Sequence, residues 1–203
     1  MNEWLTPIVD AYKQYFNDSP VVVWEVGSRD GRDGVELAER LGGGKVVCME
    51  PNPEQAKLIK KTYPSVQVVR LAASDKNGVA DFIVYEGDEG AVGSSSLNLN
   101  WKEDDLQGHI IKVQTVRLET LIFETIDVMK IDVEGYSLQA LKGLGEKINK
   151  IRVLHVETEE WTKSDKKVKA YLNDWGWQLY DERQEWPGMP DQTWINANLV
   201  GYS

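Results

Sequence analysis

A single cysteine in 203 residues leaves no partner for a disulfide framework. Cys48 lies inside an apolar, strand-like run, where it reads as a small buried hydrophobe rather than a reactive thiol. A reducing compartment, the cytoplasm, is the expectation. Long apolar runs are missing too. None approaches the roughly 18–20 residues that a membrane helix needs, so no membrane partner is expected. The first residues, Met1-Asn2-Glu3-Trp4, are acidic and no long apolar stretch follows, which predicts no secretory signal. Positive charge is in deficit. Lys and Arg number 23 against 33 Asp and Glu, a formal net charge of -10, and such a field repels a phosphate backbone. The densest basic spots are Lys60-Lys61 and Lys166-Lys167-Val168-Lys169. Both fall in helix-like segments and read as solvated faces, so nucleic acid is a poor candidate substrate. Internal repeats and low-complexity segments are absent.

What is present is an ordinary globular balance, 41% hydrophobic and 28% charged. The length suits one α/β domain over residues 1–203. Trp4 to Phe16 places Leu5, Ile8, Val9, Tyr12 and Phe16 on one helical face. This predicts an N-terminal helix within residues 1–18, broken by Asn17-Asp18-Ser19-Pro20. Val21 to Val26 is a continuous β-branched run of the kind buried on both faces of a parallel sheet. Comparable runs follow at Lys45–Glu50, Val66–Leu71, Asp127–Asp132 and Ile151–Thr158. Helical spacing separates them at Gly34–Leu41, Pro53–Tyr63 and Tyr136–Leu144, with a short helical stretch at Leu118–Glu124. Ser164 or Asp165 is expected to cap a further helix running to Trp175. Two strands, Val79–Tyr85 and His109–Arg117, flank a long polar loop from Glu86 to Gly108 and form an insertion over residues 79–117. Trp177–Asp181 and Trp194–Tyr202 are read as a final antiparallel pair, joined through Trp186-Pro187-Gly188-Met189-Pro190. Alternating strands and helices predict a doubly wound, mostly parallel sheet.

In such sheets ligands bind at the carboxyl ends of the strands, so the strand ends carry the functional signal. The first strand runs into Glu25-x-Gly27-x-x-x-Gly31, which also contains Ser28 and Arg29. Glycine lets the backbone turn sharply and approach a ligand. A carboxylate two residues before the first glycine suits a cation, such as the ammonium of a methionine moiety. It does not suit the pyrophosphate of a Gly-x-Gly-x-x-Gly dinucleotide site. Glu50 ends the second strand, where an acid can accept hydrogen bonds from both hydroxyls of a ribose. Pro51 and Asn52 follow it, and Asn52 either flanks the ribose or caps the next helix. Leu71-Ala72-Ala73-Ser74-Asp75 supplies small residues beside a flat ring, with Ser74 or Asp75 able to read an amino group. Lys130, Asp132 and Glu134 alternate with apolar residues at the end of a buried strand, where charges are costly unless paired or used.

These residues together resemble the FkbM family of class I methyltransferases. The likeness spans roughly Val21 to Glu157. It is most specific at Asp127-Val128-Met129-Lys130-Ile131-Asp132-Val133-Glu134-Gly135-Tyr136 and Leu141-Lys142-Gly143. Val116 to Leu121, the Gly93-Ser94-Ser95-Ser96-Leu97 tract and Val153 to Glu157 add to it. The family usually has aspartate at the first acid and an Ala-Asn pair in the turn. Glu25 and Ser28-Arg29-Asp30 stand there in this chain. The resemblance implies a Rossmann-like sandwich, a mostly parallel sheet with a C-terminal antiparallel strand, and S-adenosylmethionine as cofactor, leaving S-adenosylhomocysteine as product.

A sulfonium is already activated, so the protein mainly aligns the acceptor and handles its proton. Asp132 or Glu134 is the expected base or orienting group. Asp132, Glu134 and Glu157 could together hold a hard divalent cation through oxygen. The reading without a metal, as hydrogen-bonding carboxylates, ranks ahead of it. His155 shares a strand face with Glu157 and reads as a hydrogen-bonded core histidine; His109 gives no signal. Eight tryptophans is a high count. Trp4, Trp24, Trp175 and Trp177 fit packing positions, whereas Trp101, Trp161, Trp186 and Trp194 lie in or beside loops. Trp161 and Trp186 near carboxylates suit a sugar, a glycan or a flat small metabolite, with Ser95 and Glu157 as further candidate contacts. The rival classes are an NAD(P)-dependent oxidoreductase and a non-catalytic domain of the same fold.

Overall fold

The computed structural model describes residues 2–87, 94–99 and 107–201. After a short 3-10 turn, helix α1 (Thr6–Tyr15) buries Ile8, Val9 and Tyr12. Strand β1 (Val21–Val26) leads into α2 (Arg32–Arg40), β2 (Gly44–Met49), α3 (Pro53–Thr62) and the short β3 (Gln67–Val69). Pro53 stands at the first turn of α3, where its missing N–H costs nothing, and the Asn52 side chain accepts the Glu54 N–H as a cap. A second, smaller sheet comes next, from β4 (Ala72–Ala73), β5 (Gly78–Tyr85) and β6 (Gly108–Val116). The chain returns to the main sheet through β7 (Ile126–Ile131), α4 (Ser137–Gly143), β8 (Ile151–Glu157) and α5 (Ser164–Asp174). It closes with β9 (Trp177–Trp186) and β10 (Met189–Asn196).

The main sheet has the order β3-β2-β1-β7-β8-β10-β9, and the small one β4-β6-β5. Strands β3, β2, β1, β7 and β8 pair in parallel, while β10 runs antiparallel to both β8 and β9. This is the doubly wound sheet with one reversed strand, and the β5–β6 hairpin is the insertion. The strand order turns back between β1 and β7, so the crevice at a switch point opens beyond their carboxyl ends.

The period-two alternation of a strand splits the core in two. On β1, Val21 and Val23 face a cluster with Leu5, Ile8, Leu37 and Leu41 of the first two helices. Trp24 and Val26 face the other cluster, with Leu141, Val168 and Leu172. Asp127 opens β7 at the end of the sheet remote from the crevice. Its carboxylate accepts from the Tyr12 hydroxyl (3.0 Å), the Val22 N–H (2.7 Å) and Arg152 (3.0 Å), stitching α1, β1 and β8 together.

The structure corrects three expectations. Lys163, at φ 58°, takes the cap position of α5 with no side-chain cap, because the Ser164 hydroxyl is bonded to Glu159 instead. The last two strands are longer at one end and shorter at the other than the residue pattern suggests. They meet in a tight Pro187-Gly188 turn, and strand β10 stops at Asn196. Among the tryptophans, Trp194 is buried in β10 and Trp4 is 40% exposed; Trp101 lies outside the described residues.

Replacing Asp127 by alanine orphans the half-buried Val22 N–H and weakens the Arg152 anchor. The expected loss is about 2 kcal/mol of stability. For a chain of this size that is a fall in thermal midpoint of about 4–8 °C, readable by calorimetry.

Candidate active site

Gly27 is the point where β1 leaves the sheet. Its φ is +84°, and a Cβ there would lie 1.7 Å from the backbone oxygen of Asp132. Asp132 in turn donates its N–H to Val26 O at 2.9 Å. Any side chain at position 27 would therefore push apart the two strands that frame the crevice. The turn beyond it closes on itself. Gly27 N–H and Ser28 N–H both donate to Met49 O, Arg29 N–H donates to Glu50 Oε2 (2.9 Å), and Gly31 N–H donates to Ser28 O. These amides are spent inside the protein, so this turn is no cradle for a pyrophosphate. Arg29 reaches this conformation at φ 48°.

The residues read from the sequence fall into two groups. Gly27, Arg29, Glu50, Pro51, Asn52, Ala73 and Asp132 line one cleft open to solvent. Ser95 lines it from the inserted segment. Glu25, Ser28 and Gly31 do not line it; they build the turn beneath. The Glu25 carboxylate is 3% exposed, and its Oε2 accepts from the Ser28 hydroxyl (2.8 Å) and the Gly34 N–H at the start of α2 (3.0 Å). Ser74, also expected among the contacts, sits beside the cleft instead of lining it. Its N–H joins Val116 O, its carbonyl packs where a side chain on Gly143 would fall, and it is outside the cleft lining. The small residues beside the cleft are Ala72 and Ala73.

Glu50 is a buried acid in the cleft lining. Oε1 accepts from Asn52 N–H (2.8 Å) and Oε2 from Arg29 N–H. Each carboxylate oxygen can accept twice, so a lone pair on each remains for a ligand. Burial pushes Glu50 up to about 7, against the pull of those two amides. Glu25 is also pushed up to about 7 by burial, with Lys130 opposing and Asp33 adding to the rise.

The third cluster stands at the ends of β7 and β8. Lys130 is cross-strand from Glu25 and ion-paired with Asp132 Oδ2 (2.7 Å) and Asp33 Oδ2 (3.2 Å). Burial works against its charge, but Asp132, Asp33 and Glu25 outweigh it and hold the ammonium well above its ordinary value. Asp132, Glu134 and Glu157 approach one another, and Glu134 sits at φ 46°. Burial, followed by Asp132, Glu134 and Asp191, pushes Glu157 well above the carboxylate range. His155 is buried, with Nδ1 3.0 Å from Thr193 Oγ1 and Nε2 3.5 Å from Asp191. Trp161 and Trp186 are exposed at this edge, and the Trp161 ring packs against the Gly188 turn.

Sequence reasoning missed Glu159, Asp33 and Phe82. Glu159 is 1% exposed; it accepts Gly135 N–H (3.0 Å) and the hydroxyls of Ser164 and Thr162, which fixes the Glu134-Gly135 turn. Its alternation with Glu157 was the available signal. Phe82 reaches the cleft from the small sheet, and no local pattern places it there.

A family model described as the methyltransferase FkbM domain matches residues 25–179. The chain belongs to the FkbM methyltransferase family. It is 27% identical over 161 residues to the 2-O-methyltransferase NoeI of Sinorhizobium fredii, covering 67% of this chain and 62% of that protein. The FkbM methyltransferase structure from Methylobacillus flagellatus superposes with TM-score 0.58 at 14% identity, over 91% of this chain and 47% of the other. TrmK of M. capricolum, solved with S-adenosylhomocysteine, gives 0.56 at 10% identity, over 98% and 70%. At such identities the structural likeness is one of fold. The chain thus spans less than two thirds of NoeI and about half of the FkbM structure. A class I methyltransferase fold is shown, and the NAD(P) alternative is not favoured.

Two buried carboxyls with raised values have a consequence for stability. Glu25 and Glu50 bind a proton more readily folded than unfolded, so the native state loses stability as pH rises from near 4.5 to about 7. Above that the effect is complete. The thermal midpoint at fixed ionic strength is expected to fall between pH 5 and pH 8. Glu25→Gln with Glu50→Gln should flatten the curve, and a wild-type midpoint that climbs over this range would contradict the account.

Proposed function

We propose that the chain binds S-adenosylmethionine in the Glu50 cleft and methylates a hydroxyl on a sugar, glycan or other small metabolite. The observation that carries this reading is the division of labour in the cleft. The amides of the Gly27 turn are spent internally, while Glu50 is buried and held with acceptor capacity left over. That arrangement fits a ribose and rejects a pyrophosphate. Ala72, Ala73 and Leu71 leave a flat apolar wall for a purine. Asp132, which lines the cleft beside Gly27, is placed to meet a cationic group. Glu25 acts from beneath, by fixing the turn through Ser28 and Gly34, rather than by direct contact. Phe82 and Ser95 close the cleft from the inserted sheet and exclude water.

When bound, S-adenosylmethionine supplies a methyl group on a sulfonium. Transfer to a hydroxyl forms one C–O bond and breaks one C–S bond, with the bonding pair going to sulfur, and the hydroxyl proton must leave. Asp132 and Glu134 are the proposed acceptors of that proton. Lys130 fixes Asp132 in place for the task through their ion pair. The name of NoeI, a 2-O-methyltransferase, supports oxygen as the acceptor atom. Trp161 and Trp186, exposed beside carboxylates, support a sugar face as the acceptor surface. The net charge of -10 speaks against nucleic acid. Among the described residues no helix is long and apolar enough to cross a membrane. The single buried cysteine is compatible with the proposed cytoplasmic site of action.

Calorimetric titration separates the cofactor classes: S-adenosylhomocysteine is expected to bind and NAD not to. With an acceptor found by labelled-methyl screening, Asp132→Asn and Glu134→Gln should each lower turnover by about 10²–10⁴. S-adenosylhomocysteine affinity should stay within about threefold in Glu134→Gln. Full activity in both variants would remove them from the proton-handling role. Binding of cofactor without transfer to any acceptor would favour the non-catalytic alternative.

A further inference from the structure

Three carboxylates at this edge remain without a full account. Asp132 is the first residue after β7, Glu134 lies in the turn that follows, and Glu157 ends β8. One oxygen from each lies within 4.8 Å of the other two. The chain treats its acids unevenly here. Both oxygens of Glu159 meet donors, from Gly135, Ser164 and Thr162. Glu157 Oε1 is closed off from solvent and has no hydrogen-bond partner among the described residues. Leaving a buried acceptor unmet is costly, and more so for a charged group. Lys130, whose charge reaches Glu157, is already ion-paired with Asp132 and Asp33. Asp191, cross-strand from Glu157, adds a further acid instead of a counter-charge. His155 faces Asp191 and Thr193. Among the described residues, no hydrogen-bond donor meets Glu157 Oε1.

We propose that Asp132, Glu134 and Glu157 form a binding site for a hard divalent cation of the Mg²⁺ or Mn²⁺ class. The ligand atoms are all carboxylate oxygens, with no imidazole or thiolate among them, which is the donor set of hard cations. Oxygens up to 4.8 Å apart can share an ion whose ligands lie at about 2.0–2.6 Å. Asp132 Oδ2 is also bonded to Lys130. The site is not the nucleotide cleft but adjoins it through Asp132. Its chemical use rests on the methyl-transfer reading: a cation there orients an acceptor oxygen and eases loss of its proton to solvent or a neighbouring carboxylate. Binding of the ion does not rest on that reading.

The experiment uses the full chain, stripped with chelator and dialysed, and titrated with Mn²⁺ while the free-ion paramagnetic resonance signal is followed. One Mn²⁺ per chain, displaced by Mg²⁺, is expected. Glu157→Gln and Glu134→Gln should each weaken it about tenfold or more, whereas the exposed neighbour Glu160→Gln should leave it unchanged. Circular dichroism confirms folding, and Glu157→Asp replaces Glu157→Gln if the latter does not fold. S-adenosylhomocysteine affinity is measured on the same metal-free samples. Cofactor binding without saturable Mn²⁺ binding overturns the cation site alone. So does Mn²⁺ binding that is indifferent to both ligand variants. Mn²⁺ binding without cofactor binding overturns the methyl-transfer reading alone.

Discussion

The close passage of β1 over the first peptide beyond β7 is the constraint on which this structure turns. Gly27 lies against the Asp132 carbonyl with no room for a side chain, and Asp132 N–H ties back to Val26. That contact sets where the β1 turn begins, and hence where Arg29 presents its amide to Glu50. It also sets the height at which the Asp132 side chain leaves the sheet. Lys130, two residues earlier, then finds Asp132 on one side and Asp33 of α2 on the other. A backbone contact of van der Waals kind thus aligns a hydrogen-bonded turn, an ion-paired network and a cleft.

Charge in this molecule is concentrated where burial is expensive. Glu25, Lys130, Asp132, His155 and Glu157 occupy alternate positions on their strands, as do Val21, Val23, Val128 and Val153 on the same strands. The first two helices cover those valines near the amino ends of the strands. The charged positions follow as the strands approach the crevice. One face of three strands therefore changes from oil to ions along its length, and the change marks the boundary between scaffold and site.

Much of this was legible in the residues themselves. β1 was readable to the residue because its β-branched run is bounded by Pro20 and Gly27. Helix α3 was readable because Pro53 follows a capping Asn52. Strand ends bearing acids pointed to the crevice, and the Lys130–Gly135 stretch pointed to the family. What escaped were features set by tertiary partners. Glu25 reads as a ligand group in sequence, but α2 folds back and claims its oxygen through Gly34. Ser74 reads as an adenine contact, but α4 packs over it at Gly143. The hairpin of β9 and β10 extends well beyond its apolar residues, since backbone pairing with a neighbour continues where side-chain patterning has faded.

That extension matters for how copies of the molecule meet one another. A sheet exposes unpaired amides and carbonyls along its outermost strands, and another chain can add there. One border of the main sheet is β3, only three residues long. The other is β9, whose solvent-side stretch runs Asp181-Glu182-Arg183-Gln184. A short strand gives a newcomer little to grip, and a mixed row of charges must be stripped of water before it can stack. Both borders thus discourage strand-by-strand growth into fibrils.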